Sequence, residues 1–322
     1  MVGMDVGQIA RDGVFSTADA ARAGLDSNAL RRLVRQGRCL RLTRGWFAVH
    51  DGAVIEPQRL HVLTARALGR QYAGRAAVSH HSRLLLAGLP TYAADLHTVH
   101  PTSVVDPVRA DEETGDAYRR NATVRRPGVV VHEPLAGLRV VSTRPRLGAA
   151  RTAVLPVAVS LLQAGLVAGP EAFLVPADAA VRSGATTRGE LAEVASLFRG
   201  HTGVGPVRAA LPWVDARHES PGETRSAHLL RSLGFELEPQ LEVLVEGRLY
   251  RPDFRIRGTQ VLVEFDGAVK YGADGRILFA EKQREDALRR AGWVVVRLVW
   301  GDLSRPHVVL ARVRSALETA AA

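Results

Sequence analysis

The sequence predicts an α+β multidomain protein: a winged helix-turn-helix, an α/β connector, and a C-terminal mixed sheet flanked by helices. Three observations predict it. Two short helical patterns separated only by residues 24–26 run into a basic strand pair at 39–49. Short strand patterns and longer helical patterns then share residues 56–216 without a repeat. Finally, residues 250–267 carry a hairpin pattern whose polar positions are acids, with helical patterns on both sides. The boundaries fall at 1–55, 56–216 and 217–322, each segment after the first being long enough for its own core.

Composition limits the function. A formal charge of +10 and a pI near 10.7 favour a polyanionic partner, because neutralised phosphates are the main sequence-independent source of affinity for nucleic acid. Cys39 is the only cysteine, which excludes a disulfide framework and a cysteine-based zinc site. The most apolar run, 153–169, is interrupted by Pro156, Ser160 and Gln163, and no basic-then-apolar leader opens the chain. The expectation is a soluble cytoplasmic protein with no membrane partner.

In the first segment, Ser16 and Asp19 have capping-box spacing and Gly24 supplies a stop, so one two-turn helix lies between them. Ser27 is the expected cap of a second helix, with Ala29, Leu30, Leu33 and Val34 as its apolar stripe and Gly37 as its end. That stripe turns Asn28, Arg31, Arg32 and Arg35 outward. Strands at 39–42 and 46–49 around a turn at 43–45 form the wing, and Arg38, Arg41 and Arg44 extend the basic surface. Arg and Asn are the residue types that read base edges and hold phosphates, so these seven side chains are the DNA-binding candidates.

The connector begins with an amphipathic helix at 57–70. A Ser79-capped helix follows and ends at Gly88. His80 and His81 are adjacent and so point to different sides of it, and no second pair stands at metal spacing; they read as cap and packing residues. Strands are expected at 96–100, 129–132 and 138–141, a polar loop at 106–126, and helices at 152–164, 176–182, 188–198 and 205–211.

The C-terminal segment opens with Ser220, Pro221 and Glu223, a capping-box start. After a strand at 240–245, Phe254 and Ile256, then Val261, Val263 and Phe265, alternate with polar residues as in strands buried on one face. A two-residue turn at Gly258 and Thr259 pairs positions summing to 517, which sets Phe254 against Val263 and Asp253 against Glu264. Opposed Cβ atoms stand ~4.5–5.5 Å apart, where two ionised acids need a cation between them. Asp266 joins the same face. Such a set suits Mg²⁺ or Mn²⁺, completed by water and a phosphate oxygen. Lys270 and Lys282 are alternative cations for a scissile phosphate, and Lys282 also stands four residues before Asp286 on a helix. Trp293 and Trp300 bracket an apolar strand interrupted by Arg297, and read as core residues ahead of base-stacking ones.

Two resemblances sharpen these readings. Residues 9–50 resemble the N-terminal winged-helix domain of AbiEi-type antitoxins of type IV toxin–antitoxin systems, which implies operator binding, transcription regulation and a cognate toxin; the connector resembles the region that follows that domain. Pro252, Asp253 and Glu264 resemble the core of the PD-(D/E)xK nuclease superfamily, with its restriction-endonuclease-like fold, although Asp266 stands where the usual lysine would be. With the Glu281, Lys282, Arg284, Asp286 helix and the 292–300 strand, residues 219–317 look more specifically like a bacterial domain-of-unknown-function family related to very-short-patch-repair endonucleases. That resemblance implies a Mg²⁺-dependent hydrolase with Asp253, Glu264 and Glu223 on the metal, Asp266 assisting, and Lys282 or Lys270 beside the phosphate. Glu223 keeps two readings, cap and ligand. Two functions stand: a DNA-binding endonuclease, or an antitoxin or regulator whose nuclease fold is degenerate. Either is compatible with a homodimer.

Overall fold

The computed structural model describes residues 6–104, 123–135, 141–142, 152–267 and 275–322. It is a mixed α and β structure of helices and several small sheets, divided into two compact units, Met1–Ala168 with Glu193–His201 and Gly169–Ala192 with Thr202–Ala322. Among the described residues no helix is long and apolar enough to cross a membrane.

The first unit opens with β1 (Val14–Ser16), α1 (Thr17–Arg22), α2 (Ser27–Arg35), β2 (Cys39–Thr43) and β3 (Trp46–Val49), whose strands form an antiparallel sheet in the order β1-β3-β2. The expected capping box forms: the Asp19 amide donates to Ser16 Oγ at 3.1 Å and the Ser16 amide to Asp19 Oδ2 at 2.8 Å. The cap of α2 differs from expectation. Asp26 holds it, its Oδ1 accepting from the Ala29 amide at 2.7 Å, and Ser27 lies inside the first turn. Aspartate and serine compete closely for this position, and the adjacent pair made the choice ambiguous in sequence. Phe15, Ala20, Leu30, Leu33, Cys39 and Phe47 bury the inner faces of these elements together. β1 was not anticipated, being only three residues long.

α3 (Pro57–Gln71) then lies against a four-stranded sheet, order β5-β4-β9-β8, made of β4 (Ala76–Val78), β5 (Pro101–Ser103), β8 (Val141–Ser142) and β9 (Ala153–Val154). Contact is close at Gly69, where a Cβ would stand 2.4 Å from Thr152 Cγ2 and 2.9 Å from Val78 Cγ2. α4 (His80–Leu86), the hairpin β6 (Val124–Arg126) with β7 (Val129–Val131), and α5 (Val157–Ala168) complete the unit. The strand expected at 96–100 is displaced to Pro101–Ser103, although Val99 still bridges to Val129. β6 occupies the end of the stretch read as a loop; residues 106–122 of that loop, and 138–140 of the last expected strand, lie outside the described residues.

In the second unit, α6 (Pro170–Arg182) begins before the expected 176 and runs through Pro176. α7 (Arg188–Leu197), of which the residues from Glu193 on are assigned to the first unit, α8 (Val204–Ala210) and α9 (Pro221–Ser232) precede β10 (Leu237–Pro239), β11 (Val243–Val245), β12 (Arg248–Tyr250), β13 (Phe254–Ile256) and β14 (Val261–Phe265), followed by α10 (Gly275–Arg290), β15 (Val294–Leu298) and α11 (Pro306–Ala321). The sheet order is β10-β13-β14-β15, with β14 and β15 parallel and the other neighbours antiparallel. Phe254 pairs with Val263 and Arg255 with Leu262, the register the turn at Gly258 demands. Both faces of this sheet are covered, where alternation had predicted one: Phe254, Val263 and Val296 pack with residues of α9 and α11, while Leu262 packs with Ala287, Leu288, Val243 and Val245. The run of Val261, Leu262 and Val263, each fully buried, is the sequence trace of that second cover.

Candidate functional site

The first unit carries a basic surface on α2 and the strand pair. Burial of Leu30 and Leu33 fixes the rotation of α2, and with it Asn28, Arg31, Arg32 and Arg35 are all exposed. Arg38, Arg41 and Arg44 are exposed as well, alternating along the chain with the buried or half-buried Cys39, Leu40 and Leu42. Arg31 donates to Asn28 Oδ1 at 3.2 Å, which orients the amide at the N-terminal end of the helix. Among the described residues none of these arginines pairs with a carboxylate, whereas Arg22 and Arg70 are tied to Asp19 and Asp12. Arg31, Arg35 and Arg41 also line an open recess of about 710 Å³, walled by Thr17, Ser27, Leu30, Val34, Gly45 and Phe47. Three of the seven predicted side chains, Arg31, Arg35 and Arg41, thus meet at one recess. It offers guanidinium donors and a concave floor to a phosphate-bearing ligand.

The second unit holds the acidic candidates. Asp253 precedes β13 and its Oδ2 accepts from the Phe265 amide at 2.7 Å, across the hairpin from β14. Burial first, and then the charges of Glu223 and Glu264, push its carboxyl up to about 6 against the pull of that amide and of Arg284. Asp253 therefore lies within reach of the charges of Glu223 and Glu264. Glu223 is buried at the start of α9. Ser220 Oγ caps the helix by accepting from the Glu223 amide at 3.2 Å, but the Glu223 carboxylate does not return to Ser220; Oε2 accepts from the Glu219 amide at 2.8 Å and from Gln240 Nε2 at 3.2 Å. Only half of the expected capping box forms.

Glu264 has cationic company that the hairpin reading did not supply. Arg284 of α10 donates to its Oε1, and Arg297, its register partner on β15, stands 3.9 Å from Oε2 and 3.3 Å from Glu285. The cation expected between opposed acids is thus provided in part by arginines. Arg297 was visible as the charged residue interrupting an apolar strand, but its partner depends on the parallel pairing of β14 and β15, which no local pattern fixes. Asp266 follows β14, is exposed, and donates its amide to Leu298 O at 2.8 Å. Lys270 lies outside the described residues. Lys282 falls on α10, but the position of its side chain is not among the described features.

Packing holds the acid-bearing elements closely. A Cβ on Gly222 would stand 1.9 Å from the Phe265 ring, so only glycine lets the first turn of α9 approach β14. Phe265 meets Trp300 edge to face at 4.8 Å, and Trp300, half exposed, donates Nε1 to Gly267 O at 3.2 Å. Trp300 is thus less buried than a core residue, whereas Trp293 packs with Leu262 and lies under the Arg255 guanidinium at 5.4 Å. Arg225 is committed to Glu171 at 3.1 Å.

As a fit for a divalent cation the set is incomplete. Among the described residues Asp253, Glu264 and Glu223 do not gather at three-ligand spacing, and Glu264 is engaged by arginines. What the geometry offers is a buried Asp253, its pKa raised, near two further acids.

Comparison with known proteins bears on the two units differently. Residues 8–50 match the family described as "Transcriptional regulator, AbiEi antitoxin". Two uncharacterised proteins of Mycobacterium tuberculosis, Rv2248 and its counterpart MT2308 from another strain, are each 29% identical over 284 residues, covering 87% of this chain and 93% of their own length. Among solved structures, the catalytic domain of the homing endonuclease I-Bth0305I aligns over 31% of this chain and 97% of its own, with a TM-score of 0.25 and 17% identity. That likeness is too remote to speak for fold or chemistry.

Proposed function

We propose that this chain is a DNA-binding transcriptional regulator of the AbiEi antitoxin type. In this reading α1, α2 and the β2–β3 pair act as a winged helix-turn-helix, with α2 entering the major groove, where Asn28 faces base edges and Arg31, Arg32 and Arg35 engage the phosphates along the groove, and with Arg38, Arg41 and Arg44 holding flanking phosphates. The observation that carries it is the set of exposed arginines without carboxylate partners, within the segment that matches the regulator family. Unpaired surface guanidiniums raise the positive potential of this region and attract a polyanion. A cognate toxin and a second copy of the chain are the protein partners consistent with that role. The test is binding of the purified chain to fragments selected from its own genome, set beside Arg31→Ala/Arg35→Ala. Retained specific binding in that variant would remove the assignment.

A second reading is supported by one observation: the hairpin pairs Phe254 with Val263, a register whose continuation brings Asp253 to Glu264, with Glu223 close enough to raise the Asp253 pKa. It makes the segment 217–322 a PD-(D/E)xK-like endonuclease domain that takes Mg²⁺ or Mn²⁺ on Asp253, Glu264 and Glu223, with Asp266, Lys270 or Lys282 assisting phosphodiester hydrolysis. Hard cations select carboxylate oxygens of this kind. The arginines on Glu264 weigh for the regulator, in which this fold serves as a binding or scaffold module.

A further inference from the structure

The first unit gathers histidines that neither reading uses. His61, the adjacent His80 and His81, His100 and His132 come from four places in the sequence and form one cluster, with rings 3.9 to 5.2 Å apart between neighbours. This corrects the expectation that His80 and His81 lack further histidines at metal spacing. The sequence hid it because His100 and His132 sit at strand ends far along the chain.

Hydrogen bonding divides the five. His61 Nδ1 lies 2.9 Å from Leu96 O, an acceptor only, so Nδ1 bears the proton and Nε2 accepts from Ser82 Oγ at 2.9 Å. His81 places Nε2 3.0 Å from Asp95 O. Both are spent on the fold. His80 is different. Gln163 donates to Thr102 Oγ1 at 3.0 Å, Thr102 donates to Ser79 Oγ at 2.8 Å, and Ser79 donates to His100 O at 2.8 Å. Since the Ser79 proton is used, the 2.8 Å contact between Ser79 Oγ and His80 Nδ1 must be donated by the imidazole. His80 is therefore the Nδ1–H tautomer, and its Nε2 keeps a lone pair. An imidazole whose second nitrogen is fixed by a hydrogen bond is how proteins orient a metal ligand.

His80, His100 and His132 each offer one nitrogen, all three lying within 4.8 Å of one another, and His100 Nδ1 stands 2.8 Å from His132 Nε2. Nitrogens on one tetrahedral Zn²⁺, at bonds of ~2.0–2.1 Å, stand about 3.4 Å apart, so the observed spacings bracket that value. The backbone presets the arrangement. The Ser79 amide donates to His100 O at 2.8 Å, the His100 amide to Ser82 Oγ at 3.0 Å, and the His132 amide to Pro101 O at 2.8 Å. His80 itself sits at φ +51°, an uncommon conformation for a residue with a side chain.

We propose that His80, His100 and His132 form a site for a borderline divalent transition-metal ion of the Zn²⁺ class, with a fourth position left to water or an anion. Imidazole nitrogen is the ligand such ions favour, and the ion would join the start of α4 to the ends of β5 and β7.

The experiment uses the full chain, stripped with chelator and then titrated with Co²⁺ and Zn²⁺. One Co²⁺ per chain with the intense visible absorption of a tetrahedral, nitrogen-bound ion, displaced by Zn²⁺, is expected, and it persists in Asp253→Ala and His61→Gln. His132→Gln should weaken Zn²⁺ at least about 100-fold, and Ser79→Ala, which frees the His80 tautomer, about 10- to 100-fold. Absence of that absorption in the wild-type chain would overturn the proposal, and needs no variant to fold. Equal Zn²⁺ affinity in His132→Gln, with an unchanged metal-free melting temperature, would overturn it as well.

Discussion

The most demanding prediction concerns the salt dependence of DNA binding by the arginine surface. If Arg31, Arg32, Arg35, Arg38, Arg41 and Arg44 each neutralise one phosphate, log K falls with log salt at a slope of about −5, since each contact contributes ~0.9. Raising salt from ~50 to ~200 mM then weakens binding by about 10³. Replacing Arg31 and Arg35 by alanine removes two contacts, lowers the slope by about 2, and leaves a weakening of only about 10² over the same range. Base contacts behave differently: losing one would cost ~1–3 kcal/mol of discrimination without changing the slope. Fluorescence anisotropy on a duplex selected from a random pool, measured across a salt series for the wild type and the double variant, separates these cases. An unchanged slope together with unchanged affinity would refute the placement of α2 and the strand pair against DNA.

Other expectations follow from the second unit and from the packing of glycine. Because the folded pKa of Asp253 is raised to about 6 while an unfolded aspartate titrates near ~3.9, the native chain holds the extra proton between those values, so this residue's contribution falls as pH rises through that window and is flat above it. Asp253→Asn, which can still accept from the Phe265 amide, should abolish that step in a melting-temperature profile; an identical profile would contradict the assigned environment. Arg284→Ala should destabilise by about 1–3 kcal/mol by removing one cationic partner of the half-buried Glu264, and should strengthen Mg²⁺ binding measured calorimetrically. Loss of stability without any gain in cation affinity would count against the acids as a cation site. Gly222→Ala should cost about 1–3 kcal/mol through its clash with Phe265, and Phe265→Val should relieve it; urea melts that show additive rather than compensating effects would disprove that contact.

The hairpin was the most legible part of the chain because its geometry is local. Gly258 fixes the turn, the turn fixes the sum of paired positions, and the register of Phe254 with Val263 follows. The exposure of Asn28, Arg31, Arg32 and Arg35 was legible for a similar reason: Leu30 and Leu33 leave one rotation for a short helix. Long-range partners were not. Arg297 reaches Glu264 only through a parallel strand separated by a helix, and Gln240 reaches Glu223 from the residue after β10, at φ +54°. His100 and His132 join His80 through a bridge between strand ends. Expected strand positions slipped where the stretch was short and tertiary pairing decided its limits, as at Pro101–Ser103. The second cover on the C-terminal sheet was also missed, because alternation in β13 outweighed the continuous apolar run in β14.

The measurement that tests the regulator reading most directly is genome-wide selection of bound DNA with the full chain, in Mg²⁺, followed by sequencing of bound and cut fragments. A discrete bound sequence, left intact, retained by Asp253→Ala and lost by Arg31→Ala/Arg35→Ala, is the predicted result. Sequence-independent binding that survives the arginine changes, or cleavage that Asp253→Ala abolishes, would contradict the regulator and move the function to the carboxylates of the second unit.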